Sequence, residues 1–157
     1  MKNLKVFIIF TVIAAVFSAC ADPNTLLDEN KAIPNHNWAY TDPLKYNVKI
    51  DDATPLYNIY LNLRVTGDYK YSNIFVIFRR AGHGKKAQAT RYEFKLAKPD
   101  GEWLGAGSGN LYSYRFVLLK GYKFPEKGIY HIEIEQNMRD NPLREVSDAG
   151  LCVEKAK

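Results

Sequence analysis

The segment from Tyr57 to Val65 places Tyr57, Ile59, Leu61, Leu63 and Val65 on one side and Asn58, Tyr60, Asn62 and Arg64 on the other. A period of two belongs to a strand with one buried face, because a helix returns its apolar residues every three to four positions. Ile74 to Phe78 is continuously apolar between Ser72-Asn73 and Arg79-Arg80, which predicts a strand central in its sheet. Further strands are predicted at Tyr46 to Ile50, Thr90 to Ala97, Leu111 to Lys120, Gly128 to Gln136 and Ala149 to Glu154. Turn signals separate them at Pro99-Asp100-Gly101 and Pro125-Glu126-Lys127-Gly128. Eleven tyrosines among 157 residues fit strands better than helices. Seven or eight strands without helical periodicity predict an all-β fold, a single antiparallel β-sandwich, with a jelly-roll-like arrangement preferred.

The N-terminus follows another rule. Lys2 and Lys5 precede an apolar run from Val6 to Phe17 that is too short for a membrane-spanning helix, which needs about 20 residues. Phe17-Ser18-Ala19-Cys20 then places small residues before a cysteine, as in a bacterial lipobox. The reading is a lipoprotein signal over 1–19, cleavage before Cys20, and diacylglycerol in thioether linkage on the Cys20 thiol. Two or three acyl chains hold a protein stably where one is marginal. Residues 20–37 are polar and contain two prolines, so they are read as the lipidated N-terminus and a flexible tether, with the sandwich domain over 38–157. Cleavage removes two lysines and no acidic residue, lowering the formal charge from +5 to +3. With no basic block, nothing points to nucleic acid.

Candidate chemistry is sparse. His36, His83 and His131 are scattered and do not compose a metal-ligand set, and no cofactor is expected. Cys152 reads as a small apolar residue in the last strand. Gly101 to Asn110 is glycine-rich, but it leads into Leu111-Tyr112-Ser113-Tyr114, a strand, where a phosphate loop would open a helix. Glu133 and Glu135 share a strand face about 7 Å apart, a spacing compatible with glycoside hydrolysis, although alternation alone produces such pairs. Trp103 is an anchor of the core or rim, or a stacking platform. Gln136, Arg139 and Asp148 are predicted to form a polar clasp that fixes a loop, or a partner site.

The chain resembles the gliding motility lipoprotein GldH family of the Bacteroidota. The resemblance rests on Cys20, Tyr57-Asn58-Ile59-Tyr60-Leu61-Asn62-Leu63-Arg64, Tyr69-Lys70-Tyr71-Ser72-Asn73-Ile74, Asp100-Gly101-Glu102-Trp103-Leu104-Gly105, Glu135-Gln136-Asn137-Met138-Arg139 and Asp148-Ala149-Gly150-Leu151. It implies a lipid-anchored accessory of the gliding and type IX secretion apparatus, with lipoproteins or ring components of that machine as partners. It implies no enzyme and no small-molecule substrate, and it carries over one residue, Cys20. Ala21-Asp22-Pro23-Asn24 lacks the acidic run associated with surface export, so the expected site is the periplasmic face of the outer membrane. The alternative is a carbohydrate-binding module with Trp103 and exposed tyrosines as its platform.

Overall fold

The structure is a computed structural model that describes residues 22–82 and 84–157; the signal, Cys20, Ala21 and His83 lie outside the described residues. The strands are β1 (Thr25–Ala32), β2 (Asn37–Trp38), β3 (Leu44–Ile50), β4 (Tyr57–Thr66), β5 (Asn73–Ala81), β6 (Gln88–Lys95), β7 (Ala106–Ser108), β8 (Leu111–Tyr122), β9 (Gly128–Gln136), β10 (Leu143–Arg144) and β11 (Val146–Lys155), with one short 3-10 turn at Pro34–His36. The antiparallel sandwich predicted from alternation is the observed fold.

One sheet runs β1-β11-β4-β8-β7 and the other β3-β9-β5-β6, with β2 and β10 paired as a small clip. The pairing is nested: β1 with β11, β3 with β9, β4 with β8, and β5 with β6. Successive nested pairs fall in alternate sheets, which is what a long antiparallel ribbon produces when it rolls up as a jelly roll. Every principal strand therefore spans the sandwich from one end to the other, and the loops collect at two ends.

The core lies between the sheets. Ile59, Leu61, Leu63 and Val65 of β4 face Ile74, Val76 and Phe78 of β5, joined by Ile132 and Ile134 of β9 and Leu151 and Val153 of β11. The central position predicted for β5 holds, since it pairs with both β6 and β9. Side chains close the gap between β6 and β8. Phe94 stacks on Phe116 at 4.3 Å, and the Tyr92 and Tyr114 hydroxyls donate to the Leu118 and Leu96 carbonyls at 2.5 and 2.8 Å.

The tether predicted over 20–37 needs correction. Thr25 to Ala32 is a full edge strand, bonded to β11 from Glu154 to Asp148, and Asn37–Trp38 pairs with β10. Trp38 is buried and its indole N–H donates to the Asp42 carbonyl at 3.3 Å. The sandwich thus begins at Thr25, not residue 38. An edge strand recruited through its backbone needs little side-chain patterning, so its sequence resembles a linker.

Candidate functional site

All four residues singled out beyond Cys20 lie at one end of the sandwich. This is the end where β4 leaves for β5, β6 for β7, β9 for β10, and β1 for β3. They do not form one cluster.

Gln136 is the last residue of β9 and fully buried. Its amide nitrogen donates to the carbonyls of Trp38 and Asp140 at 3.3 and 3.2 Å, and its Oε1 accepts from the Met138 amide at 2.8 Å. One side chain thereby ties the 137–140 turn to the β2 clip. Burying an amide without those partners would cost about 1 to 3 kcal/mol. Asp148 is equally buried but pairs elsewhere: Arg64 Nε lies 2.6 Å from Oδ2, and Ser147 Oγ 3.0 Å. The register sets Asp148 opposite Arg64 across β11 and β4, so Arg64 supplies the guanidinium that the sequence assigned to Arg139. Arg139 is exposed and makes no ion pair among the described residues. Sequence proximity suggested the wrong arginine; the alternation of Tyr57 to Val65 already placed Arg64 on the outer face.

Trp103 is half-buried. It bridges to Ala97 and stacks on Tyr112 at 5.1 Å, beside an open cleft of about 290 Å³ lined by Tyr69, Tyr71, Lys98 and Pro99. Gly105 follows because a Cβ there would fall 2.6 Å from Tyr114 Cζ and 2.9 Å from the Ser113 carbonyl. The glycines of 101–109 thus serve close packing and turns leading into β8. Tyr69 donates to the Asn73 carbonyl at 3.1 Å, and burial raises its phenol above the ordinary value of 10. Lys70 sits 5.2 Å from the Tyr71 ring centre and 3.7 Å from Asp140, joining the cleft to the 137–140 turn. Tyr40 and Leu104 add apolar surface, each about half exposed (47% and 50%). The arrangement offers an aromatic, hydrogen-bonding surface on a backbone fixed from behind.

Glu133 and Glu135 lie on the outer face of β9, where Arg79 from β5 reaches both at 3.0 and 2.6 Å. The hydrogen bond to Glu135 raises the Arg79 guanidinium above its ordinary value despite partial burial. One cation between the two carboxylates makes them a cross-strand ion triad rather than an acid and nucleophile flanking a substrate cleft. Cys152 lies under Arg115, 2.9 Å from Nη2, and burial pushes its thiol up to about 11. Among the described residues, no group of three or more His, Cys, Asp or Glu side chains is placed to hold a metal ion.

The outer face of the larger sheet carries a second ordered polar layer. Asn62 donates to Asp28 and Asn30 at 2.9 and 3.2 Å, while Arg115 packs 4.4 Å from the Tyr60 ring and pairs with Glu154 at 3.1 Å. Gly150 makes this possible: a Cβ there would lie 1.9 Å from Asn30 Oδ1 and 2.6 Å from the Glu29 carbonyl. Two of the quoted motifs, Tyr57 to Arg64 and Asp148 to Leu151, therefore meet as neighbouring strands across one hydrogen-bonded face.

The family described as GldH lipoprotein matches residues 25–153, from the first residue of β1 nearly to the end of β11. The chain belongs to the GldH lipoprotein family. Similar curated proteins are a gliding motility lipoprotein GldH homolog from Christiangramia forsetii, 34% identical over 97% of this chain and 96% of the relative. Another is the gliding motility lipoprotein GldH of Flavobacterium johnsoniae, 25% identical over 91% and 92%. The GldH match takes in β1, so the family unit includes the edge strand. As a GldH-family lipoprotein the chain is membrane-anchored.

Proposed function

We propose that this protein is a lipid-anchored accessory of the gliding motility and type IX secretion apparatus, supporting its assembly or stability through protein contacts and not through catalysis. The observation that carries this is the family match over nearly the entire sandwich. Cys20 is the acylated residue in this reading, the membrane is the outer one, and the domain faces the periplasm. Anchoring raises the effective concentration of the domain near its partners without any new contact. The end bearing Trp103, Tyr40 and Leu104 is the contact surface, with Gln136 and the Arg64–Asp148 pair holding its shape. Tyr112 already covers one face of the Trp103 ring, which favours a protein contact over a flat sugar platform.

The test is affinity purification of the tagged lipoprotein from detergent-solubilised outer membrane, with Cys20→Ala as control. Enrichment of gliding or secretion lipoproteins or ring components that depends on Cys20 supports the reading. Recovery of glycan-handling proteins alone, with polysaccharide binding by the domain, overturns it in favour of the carbohydrate module.

A further inference from the structure

The start of β1 and the end bearing Trp103 lie at opposite ends of the sandwich. Thr25 pairs with Glu154, Glu154 with Asn58, and Tyr57 with Tyr122. The start of β1 therefore shares its end with the β3–β4 loop, the β5–β6 hairpin and the β8–β9 turn. Asp22 closes a turn there, accepting from the Thr25 amide at 2.9 Å. Cys20 is two residues earlier in the sequence.

At this end, between the hairpin and the turn, is a cavity of about 300 Å³ lined by Arg80, Lys85, Lys86, Gln88, Tyr122 and Tyr130, among others. Arg80 continues the inward row Ile74, Val76, Phe78, whose members are core residues with no exposure. A guanidinium in that row needs a compensating partner. Arg80 lies 5.1 Å from the Tyr122 ring centre and 5.9 Å from that of Phe78, and Nη2 donates to Gln88 at 2.7 Å. Its Nε is buried without a hydrogen-bond partner, and among the described residues no carboxylate is within ion-pair distance. Glu126 is the acid in the lining, 3.6 Å from Lys85, which leaves three cations against one anion.

We propose that this mouth binds the phosphate of an anionic lipid headgroup in the membrane that holds the anchor, with Arg80 as the half-buried fork and Lys85 and Lys86 at its rim. The inference rests on Cys20 as the anchor. A planar guanidinium matches a phosphate, and rim lysines meet a negative surface at low desolvation cost. The cavity borders β8, three strands from β1, about 14 Å at sheet spacing, within reach of the same leaflet. Leu56 and Ile129, about half exposed, supply apolar contacts at this end. The loops of the opposite end, at 33–43, 67–72, 96–105 and 137–145, carry six acidic against four basic residues.

The acylated lipoprotein is reconstituted in vesicles of phosphatidylcholine alone and of phosphatidylcholine with phosphatidylglycerol as the minor component, and amide exchange is read by mass spectrometry. Slower exchange over 80–88 and 122–128 in the anionic vesicles alone is the expected result. Lys85→Gln and Lys86→Gln, at an exposed hairpin tip that folding does not need, each lower the affinity of the Cys20→Ala chain for those vesicles about fivefold. Arg80→Gln removes the slowing. Equal exchange in both vesicles, or slowing confined to 67–72 and 96–105, overturns the proposal. So does the same slowing with inorganic phosphate and no vesicle, which would make the ligand a soluble phosphate. Intact mass reports acylation at Cys20 separately: a chain unmodified there that still partitions to anionic vesicles breaks the anchor reading and leaves the headgroup site standing.

Discussion

The two ends of this sandwich close the same core by different means. At the anchor end the plug is aromatic: Phe124 is buried with ring contacts to Tyr57, Tyr122 and Tyr130 at 5.2, 4.9 and 4.6 Å. At the far end buried polar side chains are added to the packing, with Gln136 bonded to three backbone groups and Asp148 held by Arg64. Aromatic packing tolerates short loops and leaves charged side chains free at the rim. Polar clasping fixes longer loops in one conformation, which suits a surface that must present a shape to a partner. The difference teaches that one jelly roll can close its two poles by different chemistry without altering its strands.

Removing the aromatic plug should have the largest effect. Phe124→Ala is expected to lower unfolding stability by about 4 kcal/mol, the usual range for a buried phenylalanine, as measured by urea denaturation. A loss below about 1 kcal/mol would show that the anchor end does not depend on it.

Gly150→Val tests whether β1 is bound as tightly as the register shows. The new side chain collides with Asn30 and the Glu29 carbonyl, so a loss of about 3 kcal/mol and faster amide exchange across 25–32 are expected. Unchanged exchange in β1 would contradict that packing.

For the polar end, Gln136→Ala should cost about 2 kcal/mol and speed exchange at 137–140 while leaving 122–128 unaffected. Loosening at both ends together would dissolve the contrast between them.

Alkaline pH attacks both ends at once. Burial raises the phenols of Tyr57 at the anchor end and Tyr69 at the far end above the ordinary value of 10. The folded state keeps those protons while the unfolded chain releases them, so stability is level below about pH 10 and falls as pH rises beyond it. Denaturant titrations at rising pH check the sign. Trp103→Ala should have the smallest effect on stability, about 1 kcal/mol for a half-buried stacked ring, while reducing partner recovery from membranes. Loss of stability without loss of recovery would remove Trp103 from the contact surface.

Much of this architecture is legible in the chain before folding. Alternation from Tyr57 to Val65 gave the buried face of β4, and Gly128 to Gln136 matched β9 at both boundaries. β1 was not legible, since its pattern of partial exposure carries no period and its hydrogen bonds come from backbone groups that every residue has. The site divided along the same line. Gln136 stands out in the sequence only as one member of a polar set with Arg139 and Asp148, and its bonds to Trp38, Met138 and Asp140 come from the packing of two loops. Its fellow clasp residue was misassigned because Arg64 and Asp148 are far apart in sequence and meet through register. Arg80 drew no attention, since it resembles any charged residue flanking a strand until the pleat turns it inward.

The sequence by itself determined what was local: the lipobox pattern, the alternating strands, the turns and the all-β class, each set by neighbours a few positions away. Only the tertiary structure decided that β1 is part of the sheet, that Arg79 neutralises Glu133 and Glu135 together, and that the start of β1 and Trp103 stand at opposite poles. Those facts depend on strand register and on the nesting of distant strands, and many registers satisfy the same alternation until the two sheets are packed against each other.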